Sequence, residues 1–196
     1  MLATIQTDLE RLYRLDRPFD VQHFVLARSQ VNAPLDRPEQ VLVHEADDAL
    51  ELALVLDDAL LEPLVDWNLD RFCVCAEGVS HMLYLAVVAD RSSQVSQLEL
   101  ELQAEIDKFV LLLMAVGMPA AQAIDRLFVA NRLRSDLSDD ERGRYAEANR
   151  MALLFCRYLV GRFVRRSRID QMLAEIRRVY RMGGARKRAY VNECRL

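Results

Sequence analysis

The chain has 196 residues, 52% of them hydrophobic and 29% charged, with a net charge of −4, the composition of an ordinary globular protein with room for one sizeable core. That excludes a wholly disordered or fibrous chain. Six glycines and five prolines are too few for an all-β fold with many tight turns, and so point to long helices.

Charge is spread unevenly. Residues 151–196 carry twelve Lys/Arg against Asp170, Glu175 and Glu193, a net of +9, which leaves −13 on residues 1–150. Such polarity suits either an anionic partner or pairing of the basic end with the acidic body of the same chain or a second copy. The four cysteines, Cys73, Cys75, Cys156 and Cys194, have no disulfide-framework spacing, and residues 1–15 lack an apolar leader. Free thiols and a cytoplasmic location are the expectation. The uncharged run 109–124 is 16 residues long and is interrupted by Gly117 and Pro119. A membrane-spanning helix needs roughly 20 apolar residues, so no span is expected.

In chain order, 7–15 has helical periodicity with Leu9, Leu12 and Tyr13 on one side, and Arg17-Pro18 breaks it. Residues 19–26 alternate as a strand, and 33–38 is loop. Residues 41–56 fit a β-hairpin turning at 46–48, because Leu50, Leu52, Leu54 and Leu56 recur at period two. A helix over the same stretch is the competing assignment, since Ala, Leu and Glu are good helix formers. The hairpin together with 19–26 gives a three-stranded antiparallel meander. Everything after Asp57 reads as helix: a short one to Leu64 capped by Asp57 or Asp58, a central one over 70–88 capped by Asn68, and then 95–116, 119–131, 138–163 and 169–181. Ser138 and Glu141 have capping-box spacing, and Gly183-Gly184 ends the last helix. The fold expected is a single, mostly helical α+β domain over 1–182. Residues 183–196 follow as a basic tail, whose removal is expected to be nearly neutral.

The central stretch is apolar on nearly every side, as a helix in a protein interior must be, yet it carries Glu77 and His81. Spaced i, i+4, these two share a face, and burial obliges them to find partners. A short connection near residue 92 makes 70–88 and 95–116 antiparallel neighbours, so that residue n faces roughly residue 184 − n. Glu77 then lies opposite Asp107 and His81 opposite Gln103, with Glu101 and Glu105 a turn away. Carboxylates and one imidazole at such a centre suit a hard or borderline metal. Glu77, His81, Glu101, Glu105 and Asp107 are therefore the candidate ligands, and Glu77, His81 and Glu105 the candidate catalytic groups if the protein is an enzyme. The competing reading is a satisfied structural pair, with Glu77 accepting from His81, Lys108 or an arginine.

Ser80 beside His81 is misaligned for proton transfer, because helix neighbours point about a hundred degrees apart. No nucleophile elbow, phosphate-binding glycine loop or zinc-finger spacing is present, and no cofactor is expected. The C-terminal cations Arg162, Arg165, Arg166, Arg177, Arg178, Arg181, Arg186, Lys187 and Arg188 are the candidate contacts for nucleic acid or another anion. The leading expectation is a non-enzymatic binding or regulatory protein acting through protein partners or self-association. A metal- or His/carboxylate-dependent enzyme and a nucleic-acid binder are the alternatives.

Overall fold

The computed structural model describes residues 1–16, 19–32, 37–46, 49–63, 66–89, 94–130 and 137–194, with side chains 45–50 and 89 outside that description. The fold is α+β and mostly helical, a small three-stranded sheet against a set of helices. Helix α1, Leu2–Tyr13, is followed by a 3-10 turn, Val21–Phe24, and a short strand β1, Val25–Ala27. The buried amide of Gln6 fixes this connection: it donates to the Phe19 carbonyl at 2.6 Å and accepts from the Val21 N–H at 2.8 Å.

Strands β2, Glu39–Ala46, and β3, Ala49–Leu56, form the hairpin. Their antiparallel register runs from Glu39↔Leu56 to Ala46↔Ala49, which decides against a helix here. The expected turn residues 47–48 lie outside the described residues. The expected antiparallel meander is corrected in one respect. Strand order is β1-β3-β2, and β1 runs parallel to β3 through Val25↔Leu54 and Ala27↔Leu56. The reason lies in β3, where Leu54, Val55 and Leu56 are all buried. A strand apolar on both faces belongs in the middle of a sheet, and β2, with Glu39, Gln40 and His44, tolerates the edge. The strand expected over 19–26 also shrinks, because the Asp20 side chain accepts from Gln22 N–H and starts a turn there.

Helix α2 is one turn, Asp58–Leu61. The central helix α3 spans Leu69–Ala89, and Asn68 Oδ1 accepts from the Arg71 N–H at 2.9 Å, the cap expected from the sequence. Helix α4, Gln97–Met114, starts with Ser96 accepting from the Glu99 N–H and runs back along α3; the expected connection at 90–93 lies outside the described residues. By length and composition Leu69–Val88 is apolar enough to cross a membrane, but 67% of that window is buried inside this fold.

Pro119 precedes α5, Ala120–Ile124, which continues as a π-turn over Asp125–Val129. Helix α6, Asp139–Arg162, opens with the Ser138/Glu141 capping box and packs along α4. Helix α7, Ile169–Tyr180, buries Met172, Ile176, Val179 and Tyr180, and its apolar stripe meets α1. There Tyr180 stacks on Tyr13 with ring centroids 4.0 Å apart. Arg177 and Arg181 donate to the Leu12 and Tyr13 carbonyls at 2.6 and 2.9 Å, so two cations close the negative C-terminal end of α1.

The stretch expected to be a basic tail is instead helical. Helix α8, Gly184–Glu193, has Gly183 as its N-cap and packs on α6, with Lys187, Val191 and Cys194 buried. Gly184, in the first turn of this helix, packs against the Glu99 carboxylate, which a Cβ at position 184 would displace.

Ending the chain after Met182 therefore removes core, not a tail. Loss of the buried Lys187, which leaves Tyr84 Oη and Gln103 Oε1 without its hydrogen bonds, should by itself lower unfolding stability by about 1–3 kcal/mol. Urea denaturation of the truncated chain tests this; an unchanged midpoint would place α8 outside the folded unit.

Candidate functional site

Helix periodicity puts two polar stripes on α3: Glu77 and His81 on one, Ser80 and Tyr84 on the next. Helix α4 answers with two of its own, Glu101, Glu105 and Lys108 beside Glu99, Gln103 and Asp107. The contacts Glu77–Lys108, Ser80–Asp107 and Tyr84–Glu99 all fall within one turn of the antiparallel register expected from the sequence. What the register does not fix is rotation. The stripes sort into two separate clusters, so Asp107 and Gln103 do not join Glu77 and His81.

The first cluster joins β2, α3 and α4. Lys108 Nζ lies 2.9 Å from both Glu77 Oε2 and Glu105 Oε1. Ligand atoms of Glu77, His81 and Glu101 stand within 4.8 Å of one another. From the sheet, Glu39 adds a carboxylate 3.9 Å from His81 Nδ1, while Glu101 Oε2 is 3.8 Å from Nε2. Those separations are too long for hydrogen bonds. Glu77 and His81 are thus neighbours in one buried group, but Glu77 accepts from Lys108 and not from the imidazole. Glu39, His81 and Glu101 are 7%, 7% and 8% exposed; Glu77 is the more open member, its side chain 20% exposed. Gly78 admits the sheet to the helix here, since a Cβ would lie 2.6 Å from Leu54 Cδ1 and 3.0 Å from Glu39 Oε2.

Three buried polar atoms in this cluster have no hydrogen-bond partner: Glu39 Oε2, His81 Nε2 and Glu105 Oε2. Buried polar atoms are ordinarily paired, so three orphans on β2, α3 and α4, one of them in the Glu77, His81 and Glu101 group, are the distinctive chemical feature. Burial, reinforced by the Glu77 charge, pushes Glu101 up to about 8. Burial, then Glu77 and Glu101, raises Glu39 well above the carboxylate range, and burial raises Glu105 despite Lys108. For Glu77 burial acts upward too, but Lys108 and His81 outweigh it and the net shift is downward. Lys108 is the mirror case: burial acts downward, Glu105 and Glu77 outweigh it, and the ammonium is held charged. Burial lowers His81 against the pull of Glu77, leaving a neutral imidazole of the kind that ligates metals.

The second cluster is closed. Asp107 accepts from Tyr13, from Ser80 at 2.6 Å and from Gln103 at 2.7 Å. Burial raises it to about 6 against these three bonds. Lys187, wholly buried, donates to Tyr84 Oη at 2.7 Å and Gln103 Oε1 at 2.8 Å and lies 4.0 Å from the Tyr84 ring centre. Each side chain finds a protein partner, which marks a structural network.

Of the expected ligands, Glu77, His81 and Glu101 are brought together, Glu105 reaches the group through Lys108, and Asp107 belongs to the other cluster. Glu39 was not legible as a member: one acidic residue on an edge strand gives no sequence signal. The C-terminal cations have different surroundings. Arg177 and Arg181 cap α1, Arg178 pairs with Glu175 at 2.8 Å, Arg188 reaches Ser96 at 3.4 Å, and Lys187 is core; Arg162, Arg165, Arg166 and Arg186 are exposed. Nor are the cysteines primed as nucleophiles. Burial pushes Cys73 up to about 12 and Cys75 and Cys194 to about 11, and raises Cys156 as well, whereas reactive thiols are depressed.

A pH dependence follows. Glu101 has a folded-state pKa above its ordinary value, so its stabilising effect on the metal-free protein is complete below about pH 4.5 and is lost as pH rises toward about 8. Thermal unfolding of metal-free protein from pH 5 to 8 should show a falling Tm. Glu101→Gln should flatten that fall, and an equally steep fall in the variant would assign it to other groups.

No protein-family model matches this chain, and no curated protein or solved structure does.

Proposed function

We propose that this chain is a non-enzymatic binding protein for a divalent cation, which Glu77, His81 and Glu101 ligate with Glu39 closing the set. The observation that carries this reading is a buried group at ligand spacing, Glu77, His81 and Glu101, in which His81 Nε2 has no partner, with the Glu39 carboxylate 3.9 Å from the same imidazole. Four carboxylates, Glu39, Glu77, Glu101 and Glu105, face one nearby ammonium, that of Lys108. Buried charge in that ratio is costly unless protons or a cation neutralise it. Arg37 and Arg144 offset only part of it, and Arg37 is engaged by Glu141 and Tyr145.

Mixed carboxylate and imidazole donors favour Mn, Fe or Zn over soft-site metals. The burial of Glu39, His81 and Glu101 supports a closed site. Catalytic metal sites keep an open position for substrate, so an ion here serves to hold β2, α3 and α4 together. Such a protein is stabilised by the ion in proportion to its occupancy. Because carboxylate ligands must lose their protons to bind, uptake should release protons and strengthen with pH through the Glu101 range of about 8.

Elemental analysis and calorimetric titration of untagged protein with Mn²⁺ and Zn²⁺ test the reading. One equivalent should bind with a rise in Tm, and both His81→Ala and Glu101→Gln should lose it. Full-length, folded protein that takes up no stoichiometric metal would overturn it.

A further inference from the structure

We infer that the Lys108 ammonium is a built-in second cation, which fills the position beside the metal and holds the centre to a single ion. The inference rests on the cation-binding reading above and concerns which residue sets the number of ions.

Three observations point to it. Lys108 Nζ is equidistant, at 2.9 Å, from Glu77 Oε2 and Glu105 Oε1, with its side chain 6% exposed. Its place between two buried carboxylates is that of a cation in a carboxylate bridge. Glu77 belongs at once to the group formed with His81 and Glu101 and to this pair, so one carboxylate is common to the ligand group and the ammonium. And Glu105 Oε2 is buried with no partner. The ammonium leaves unused an oxygen that a metal ion in its place would take.

Charge decides between one ion and two. With four carboxylates ionised, the ammonium leaves three negative charges, and one divalent ion reduces these to one. A second divalent ion beside the ammonium would make the buried centre net positive, and the two cations would compete for the same oxygens of Glu77 and Glu105. If Lys108 loses its charge, four carboxylates are balanced by two divalent ions. Geometry permits the exchange, since the carboxylate oxygens need only draw in from 2.9 Å to the roughly 2.0–2.2 Å of a metal–oxygen bond. Sharing a bridging carboxylate is how helical proteins hold two metal ions about 3.5–4 Å apart. Here one of the two positions is occupied by a side chain.

Titration with Mn²⁺ alone, read by elemental analysis and electron paramagnetic resonance, tests this on the full chain. Wild type should bind one equivalent and give the six-line spectrum of an isolated ion. Lys108→Met keeps the stem and removes the charge, and should bind two equivalents with an exchange-coupled spectrum. Lys108→Arg keeps a cation and should remain at one. Two equivalents or a coupled spectrum in wild type would overturn the inference whatever the variants do. One equivalent in folded Lys108→Met would also overturn it, while leaving the cation-binding reading intact. No Mn²⁺ uptake by wild type would sink this inference, and no Zn²⁺ uptake either would sink the cation-binding reading with it. Should Lys108→Met not fold, Lys108→Gln takes its place with the same two outcomes.

Discussion

Between α3 and α4 the chain buries carboxylates faster than it supplies cations to neutralise them, and the rest of the structure is arranged around that imbalance. An ionised carboxylate taken from water needs a charge partner or a proton. Lys108 satisfies Glu77 and half of Glu105, and it is the ammonium paired with this cluster among the described residues. The groups left over, Glu39 and Glu101, move toward protonation. A centre with several raised carboxylates and one neutral imidazole binds protons when a cation is absent and a cation when one is available.

The same helical hairpin solves the identical problem on its other face by a different route. There α1 contributes Tyr13, α8 contributes Lys187, and Gln103 stands between them, donating to Asp107 and accepting from Lys187. Every charged group in that layer has a protein partner. The contrast between the two faces is informative, since it comes from one pair of helices with one register. Closure of the second layer explains why α8 belongs to the core, and the Glu99 carboxylate packed against Gly184 shows how tightly its first turn is set. Arg177 and Arg181 donate to the last carbonyls of α1 and so tie α7 to the first helix.

The sheet matters to the centre through a single position. Leu54 and Leu56 bury against the helices, Gly78 lets Leu54 approach α3, and the register Glu39↔Leu56 then carries the Glu39 carboxylate over His81. Its neighbour Arg37 ties the base of β2 to α6 through Glu141 and Tyr145. The fourth acidic group of the centre is therefore delivered by apolar packing and by an anchor on a third element.

Sequence alone determined much of this. Period-two leucines favoured the hairpin over a helix, all-round hydrophobicity pointed to a buried α3, the caps at Asn68 and Ser138 follow from local chemistry, and the short connection implied the antiparallel register that put Glu77 within a turn of Lys108. These are local properties, set by periodicity and by backbone groups a few residues apart. Tertiary structure decided what periodicity leaves free: the rotation of α3 against α4, which parted Asp107 from Glu77; the strand order that placed β3 in the middle; the burial of Lys187 within a basic run; and the arrival of Glu39 from a distant edge strand. Each of these depends on which face meets which element, and that is settled by packing the whole core at once, because a helix stripe or a strand face carries no record of its partner.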